Sequence, residues 1–490
     1  MNRHSDVLAT EPVSTIDAEG LERLEARLAA DLHALNYPPA NWVPPTLHPD
    51  GKVSDVIVIG AGMCGLAASF ALLRRGIRNL RILDRAPAGR EGPWMTFARM
   101  ETLRSPKELI GPASGVGALT FRQWFLAQFG RAEWEALYRI PRPMWMDYLV
   151  WFRRALDLPV ENGVAVTAIA PQDGLLRLEL SGAPESFALT RKLVLATGRS
   201  GLGKASIPDF MSEVPRRFFA HSEDEVDFSR LRGKRVVVVG AGASAMDNAG
   251  EALEQDAAEV RLLIRRKTMP RINKLMGIGS AGFNAGFPML PEEWRWRFMH
   301  YAGQEQTPAP RNSTLRVGRH PNAFFHFGCG ITGLRVEAEE LRIDTVKGKI
   351  FAADYLILGT GFSVDPFAIP ELSLYAPHIA TWGERHAPIA DLADEELAGF
   401  PYLGRAFEFL PHGVDAPAGL SDIHCFNHAA SLSLGKVSGD IPAISTGANW
   451  LAEGIAGQLF CRDVETHWQI ALDYSKPELE GDEWTDAEAE

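Results

Sequence analysis

Cysteine is scarce in this 490-residue chain, and the four present, Cys64, Cys329, Cys425 and Cys461, show no C-x-x-C spacing. That excludes a disulfide framework and makes a zinc site improbable; it suits a reducing compartment, so the cytoplasm is the expected location. Positive charge is not in excess either. With 50 basic against 62 acidic residues the formal charge is −12, which argues against a nucleic-acid surface. No apolar run reads as a membrane span: the longest, from Val56 to Leu73, carries glycines at turn spacing and reads as a buried strand and helix, so no transmembrane segment is expected. Met1 to Thr10 is polar and mixed in charge, without the apolar segment of a secretory leader. What is abundant is apolar side chain, 46% of residues, enough for two or three domains at this length.

The chain is organised around Asp55-Val56-Ile57-Val58-Ile59-Gly60-Ala61-Gly62-Met63-Cys64-Gly65, followed at once by the small-residue helix Leu66 to Leu73. Strand, Gly-x-Gly-x-x-Gly and helix make a dinucleotide cradle. Gly60 forms the turn, Gly62 lets the backbone approach a pyrophosphate, Gly65 lets helix pack on strand, and the helix N-terminus faces the negative charge. A second strand, Leu80 to Leu83, ends in Asp84, 24 positions after Gly60, where a carboxylate binds a ribose hydroxyl; Arg85 beside it joins the nucleotide-contacting set. The Gly- and Pro-rich loop Pro87 to Trp94 leaves the same sheet end and borders the ligand crevice. Within it Gly92 allows close approach, and Trp94 either covers an aromatic cofactor ring or plugs the core.

A second cradle, Arg235-Val236-Val237-Val238-Val239-Gly240-Ala241-Gly242-Ala243-Ser244-Ala245, repeats the pattern with Ala245 in place of the third glycine. Gly240, Gly242, Ser244 and Ala245 are its nucleotide-contacting positions. Its next strand, Glu259 to Ile264, ends in Arg265-Arg266, 25 positions after Gly240, where the first unit has its acid. Arginine there suits a 2′-phosphate, so the first unit is read as binding an unphosphorylated ribose and the second as binding NADPH. The buried strand Lys192 to Leu195 ends in Ala196-Thr197-Gly198, and Tyr355 to Leu358 ends likewise in Gly359-Thr360-Gly361; Thr197, Gly198, Thr360 and Gly361 are therefore candidate cofactor contacts. Two cradles of opposite charge preference imply two dinucleotides, with hydride passing between them.

Around this frame, Leu21, Leu24, Leu28, Leu32 and Leu35 predict an amphipathic helix over residues 17–35, packing on the protein's own body or forming a coiled-coil seam of a homodimer. Helices are predicted over 119–129 and 144–156, and strands over 164–169 and 175–180. The stretch from Phe367 to Leu420 reads as loops over the substrate side, His424-Cys425-Phe426-Asn427-His428 as a dense polar group, and Lys476 to Glu490 as an acidic, disordered tail.

Together, from residue 53 to 460, these features resemble the class B flavin monooxygenases of the two-dinucleotide-binding flavoproteins: flavin-containing, N-hydroxylating and Baeyer-Villiger enzymes. The Gly92-Pro93-Trp94 loop is similar to the family's Gly-Gly-x-Trp, and Gly439-Asp440-Ile441-Pro442-Ala443 looks like its last flavin contact, with Asp440 on the ribityl or phosphate part of FAD. His221 keeps a family histidine, although Pro215 and Arg217 stand where the motif has phenylalanine and glycine. The resemblance implies an α/β fold of two Rossmann-like domains, the NADPH domain (206–350) inserted in a discontinuous FAD domain (51–205 and 351–465), flanked by an N-terminal segment (1–50) and a C-terminal tail (466–490). It also implies the chemistry: NADPH reduces FAD, oxygen adds to give a flavin hydroperoxide, and a nitrogen or sulfur centre of a small molecule is oxygenated. Catalytic candidates are Arg104, where flavin-containing monooxygenases tend to have asparagine, together with Asn427 and His428. Arg104 either binds an acidic substrate and steadies the oxygenated flavin or pairs structurally with Glu101 or Glu108. No metal is called for. Alternatives are ketone oxidation, a reductase or oxidase passing electrons to a carrier or to oxygen, and a non-catalytic redox sensor. A disulfide reductase would need a cysteine pair beside the flavin, and residues 66–328 contain no cysteine.

Overall fold

Residues Val53 to Val58 are buried on both faces, as a central parallel strand requires, and strand Gly51–Ile59 sits mid-sheet with Leu80–Asp84 on one side and Phe187–Leu195 on the other. Val58 is level with Ile82 and with Val194. This computed structural model describes residues 20–484. The sheet continues outward to Val160–Asn162 beyond Leu80–Asp84, and to Leu175–Ser181 and Ala165–Gln172, both antiparallel, beyond Phe187–Leu195. Helix Met63–Arg74 is buried almost throughout because it is sandwiched: Ile444–Arg462 packs against it on the side away from the sheet.

The second sheet is wholly parallel, in the order Ala323–Phe327, Glu259–Ile264, Arg235–Val239, Tyr355–Leu358, Phe219–His221. A small antiparallel sheet of Ile331–Glu337, Glu340–Thr345 and Ile350–Ala353 covers it. The architecture is therefore α/β with two Rossmann-like units, the second inserted in the first. Both cradles lie where neighbouring strands leave in opposite directions, the crevice position of doubly wound sheets. One boundary moves. Tyr355–Leu358, which a division at 351 assigns to the first unit, hydrogen-bonds to Arg235–Val239 and closes the second sheet. The chain crosses between units at Gly203–Ala205 and Phe362–Val364, which pair antiparallel as a two-stranded ribbon.

The N-terminal helix spans Leu21–Ala34 and buries Leu24 and Leu28 against the protein's own body, with Arg27 donating to Gln123 and Glu25 accepting from Trp151 and Arg154. Of the two readings of its leucine stripe, intramolecular packing holds; residues 17–19 lie outside the described residues. The predicted helices are Phe121–Ala136, broken at Gly130 with φ 77°, and Arg142–Ala155. The segment beyond residue 465 is not all tail: helix Val464–Asp473 continues from Ile444–Arg462 and is sealed to it by Phe460 stacked on His467 at 4.4 Å. Residues 485–490 lie outside the described residues. Among the described residues no helix is long and apolar enough to cross a membrane, and no group of three His, Cys, Asp or Glu side chains is arranged to hold a metal.

Candidate functional site

At the first cradle the fit is set by backbone contact. A Cβ on Gly65 would lie 1.7 Å from the Gly60 carbonyl oxygen, and one on Gly60, whose φ is 100°, would lie 2.5 Å from that of Ala196. Gly62 differs, since its Cβ would meet only Gly92 Cα at 3.7 Å, so its absence leaves room for a ligand rather than for the fold. The helix after Gly62 has no side-chain cap and no acid in its first turn, leaving its N–H groups for a phosphate. Asp84 is buried, with Oδ2 accepting from Ala61 N at 2.7 Å and Oδ1 from Ala86 N at 2.8 Å, so it braces the cradle while each oxygen keeps a free lone pair. Arg85 is exposed.

Gly92 places its loop directly on the cradle. Trp94 is half-buried, edge-on to Trp145 at 6.3 Å, with Arg142 donating to its carbonyl, so it is anchored against the core and partly exposed. Beneath the loop, buried Glu91 accepts from Arg153 Nη1 at 2.9 Å, Asn162 Nδ2 at 2.7 Å and Gly89 N at 2.8 Å. Sequence reasoning quoted Glu91 only as part of the loop, because its partners come from distant elements. A cavity of about 370 Å³, lined by Ala61, Gly62, Leu66, Glu91, Met146 and Arg153 among others, opens beside the cradle and is large enough for part of a cofactor.

The second cradle repeats the geometry with one exchange. Gly240, φ 123°, again abuts a carbonyl, that of Gly359, at 2.5 Å from its would-be Cβ. Ala245 carries the methyl group that Gly65 lacks, and Gly359 leaves space for it: a Cβ on Gly359 would lie 2.6 Å from the Ala245 Cβ. The helix beginning at Ala243 has no side-chain cap, and Ser244 is exposed at its first turn. Beyond the strand, Arg265 is exposed and has no ion-pair or hydrogen-bond partner among the described residues, whereas Arg266 donates to Gln304 O at 2.6 Å. Thr197 Oγ1 donates to Gly201 O at 3.0 Å and Thr360 Oγ1 to Ser206 O at 2.5 Å; Gly198 and Gly361 take φ of 80° and 85° where the two crossings begin.

The predicted catalytic residues part company. Asn427 is fully buried: Nδ2 donates to Thr197 Oγ1 at 3.2 Å and Leu195 O at 3.4 Å, and Oδ1 accepts from Ala429 N at 3.0 Å. Its polar groups are committed to the strand end, where it braces the Thr197 turn. His424 is likewise sealed, with Nδ1 2.7 Å from Ala406 O. His428 is only half-buried; its N–H donates to Gly198 O at 3.4 Å, and its α-carbon lies 3.9 Å from the would-be Cβ of Gly439, beside Asp440. Burial, reinforced by nearby Arg199 and Lys436, drives its pKa down to about 3, so the imidazole is neutral. Asp440 is exposed at the turn before Ile444–Arg462 and close enough to Cys64 and Arg104 to act on both. Cys64 donates to Ser438 O at 3.4 Å, and burial pushes its thiol up to about 12. All four cysteines are free.

Arg104 pairs with neither Glu101 nor Glu108. Its guanidinium donates to Pro308 O, on the second unit, while Arg139 holds its carbonyl at 2.6 Å. The surrounding loop is stitched to the same unit by Arg316 Nη1 to Arg99 O at 2.8 Å and Asn312 Nδ2 to Thr102 Oγ1 at 2.9 Å. Arg104, exposed, thus stands at the contact between the two units, where an anion could meet it.

Comparison with known proteins agrees with this geometry. Residues 57–276 match the family described as pyridine nucleotide-disulphide oxidoreductase. The FAD-dependent urate hydroxylase of Xanthomonas campestris pv. campestris is 38% identical over 467 residues, 94% of this chain and 98% of that protein. Among solved structures, ornithine hydroxylase from Pseudomonas aeruginosa (15% identity, TM-score 0.63) covers 83% of this chain and 100% of its own. L-lysine 6-monooxygenase from Pseudomonas syringae (20% identity, TM-score 0.61) covers 83% and 99%. Those two share the fold; the urate hydroxylase shares the sequence nearly end to end. The dithiol chemistry in the first family's name has no cysteine pair here to carry it. The chain belongs to the FAD-dependent hydroxylases, the family of the urate hydroxylase.

Proposed function

We propose that this monooxygenase hydroxylates urate or a closely related anionic purine. The observation that carries the reading is the 38% identity to a urate hydroxylase over 94% of the chain. The sequence led to the expectation of a nitrogen or sulfur centre, or alternatively a ketone; the reading here is a nitrogen-rich heterocycle, favoured by the urate hydroxylase relative. Gly60, Gly62 and Gly65 receive the FAD pyrophosphate, Asp84 and Arg85 its adenosine side, Gly92 and Trp94 flank it, and Asp440 lies toward the flavin. Gly240, Gly242, Ser244 and Ala245 receive the NADPH pyrophosphate, Arg265 and Arg266 its 2′-phosphate, and the Thr197-Gly198 and Thr360-Gly361 turns the face between the nucleotides. Bound FAD supplies the redox chemistry, taking hydride from NADPH and activating oxygen. The protein's own part is to hold and orient. Arg104 offers a planar cationic fork to the substrate anion, and neutral His428 offers a hydrogen-bonding ring edge without competing charge. Substrate and oxygen are the only partners this requires, and the free cysteines support a cytoplasmic setting.

The test is to supply FAD-loaded enzyme with NADPH, urate and isotopically labelled oxygen. One NADPH consumed per urate, with one labelled oxygen in the product, supports the reading; NADPH oxidation to peroxide with urate unchanged would sink it.

A further inference from the structure

Two arginines from opposite units grip one short piece of chain, and the proposed chemistry makes no use of them. Arg316, on helix Arg311–Gly318 of the second unit, is 4% exposed. Its Nε donates to both oxygens of Glu254 at 3.0 Å, and its Nη2 to Glu254 at 2.5 Å and Glu251 at 2.8 Å. Both glutamates stand in the last turn of the second cradle's helix, Ala243–Glu254, where the helix dipole disfavours acids and no basic residue of the helix offsets them. Gly250 lies under the arginine: a Cβ there would come 2.7 Å from Arg316 Cδ. Glycine inside a helix is less stable than alanine, so this helix gives up both propensity and dipole complementarity to seat one side chain.

The remaining bond leaves the unit. Arg316 Nη1 donates to Arg99 O of the first unit at 2.8 Å, and the next carbonyl, Met100 O, accepts from Arg142 Nε at 3.1 Å. Arg142, the first residue of helix Arg142–Ala155, also donates from its backbone N to Glu101 O at 3.1 Å and from Nη1 to Trp94 O. Trp94 ends the loop whose Gly92 lies against Gly62 of the first cradle. The Arg99 side chain adds to the grip: Nη2 donates to Asp224 O at 2.9 Å, and the guanidinium lies over the Phe228 ring at 5.0 Å, both on the second unit. Hydrogen bonds thus run from the helix of one cradle, through Arg316, residues 99–101 and Arg142, to the glycine loop of the other.

We infer that Arg316 is a positioning residue for hydride transfer: it holds the second cradle's helix in register with the Trp94 loop of the first, and so sets the two bound nucleotides against each other. The hydride half of this rests on the proposed FAD and NADPH sites; the link between the units does not.

The experiment uses full-length, FAD-loaded protein and two readouts. Hydrogen–deuterium exchange over residues 97–104, before NADPH is added, tests the link. Arg316→Lys keeps a charge for Glu254 but has no second nitrogen for Arg99 O, and is expected to speed exchange there at least about three-fold. An unchanged exchange rate overturns the link whether or not NADPH is the reductant. Anaerobic mixing with NADPH, read as loss of oxidised-flavin absorbance, tests the positioning. Arg316→Lys and Arg142→Lys are each expected to lower the limiting reduction rate about ten-fold and to change the NADPH dissociation constant less than about three-fold. The double variant is expected to be no slower than the slower single one. A loss carried wholly by the dissociation constant, or one that multiplies in the double variant, would overturn the positioning role. If Arg316→Lys does not retain FAD, Gly250→Ala, which keeps every charge and crowds the arginine stem, is expected to give the same faster exchange and slower reduction, and parent-like values for both would overturn the inference. Failure of NADPH to reduce the unaltered protein would fall on the cofactor assignment, with the exchange result still deciding the link.

Discussion

At the second cradle the helix and the neighbouring strand end share room for one methyl group, and a double-mutant cycle measures it. Ala245 carries that methyl and residue 359 is glycine, whereas at the first cradle residue 65 is itself glycine because its Cβ would meet the Gly60 carbonyl oxygen. Gly359→Ala alone would put two methyl carbons 2.6 Å apart, about 0.8 Å short of ordinary contact. Overpacking of that kind costs about 1–3 kcal/mol, and here it pushes the helix N-terminus away from the nucleotide. Ala245→Gly removes a fully buried methyl at about 1 kcal/mol and loses roughly 1 kcal/mol more in helix propensity. If the two methyl groups compete for one space, the double variant should be no less stable than the worse single one, a coupling of at least about 1 kcal/mol. Rescue should stay partial, because the new Cβ would still lie 2.8 Å from Ala245 Cα and 3.0 Å from Val239 O. Urea denaturation of the four proteins, with NADP⁺ binding followed by fluorescence, gives both numbers. Additivity within about 0.5 kcal/mol would refute the shared-space argument.

Other expectations follow from single contacts. Arg265→Ala should weaken NADPH by roughly ten-fold or more and leave NADH nearly unchanged, as expected for loss of one charge-assisted contact, whereas Arg266→Ala should do less because that side chain is already held by Gln304; equal losses for both nucleotides in dissociation-constant measurements would discard the assignment. Gly65→Ala should prevent assembly of the first unit, since its Cβ would lie 1.7 Å from a carbonyl oxygen, while Gly62→Ala should fold and bind FAD poorly; circular dichroism and flavin content separate the two, and a flavin-replete Gly65→Ala protein would contradict the packing. Burial raises the pKa of Asp55 from 3.8 to about 6, with Arg191 opposing, so the fold binds its proton more tightly than the unfolded chain does. Stability from this group is therefore lost as pH rises from about 4 to about 6, by at most about 3 kcal/mol. Asp55→Asn should flatten that part of the melting-temperature profile, and a profile parallel to the parent protein's would count against it.

The frame of this enzyme was legible because its glycines carry it. Gly60, Gly65 and Gly240 are fixed by contacts along a continuous strand-turn-helix, so spacing alone located both cradles and their flanking Asp84 and Arg265. The boundary at 351 was misplaced because Tyr355–Leu358 and Lys192–Leu195 look alike in sequence, and only hydrogen-bond pairing assigns the former to the second sheet. Asn427 stands in a dense polar stretch of sequence, but its hydrogen-bond partners, Leu195 and Thr197, are more than two hundred positions away and no local pattern points to them. Arg104 was found by its place in a motif, and its hydrogen-bond partner, Pro308, could not have been, since a contact between two units has no local period.

The ribbon of Gly203–Ala205 and Phe362–Val364 bears on the order in which the protein is made. Because the two crossings touch, everything between them is a closed loop of chain, and all five strands of the second sheet lie within it. That unit contains its whole sheet once residue 358 has been synthesised. The first unit is different: its cradle helix Met63–Arg74 is covered by Ile444–Arg462, so it stays uncovered until residue 462 has been synthesised. Folding from the ribosome should therefore run inside out, with the NADPH unit complete while the earlier-made FAD unit waits for its last helix.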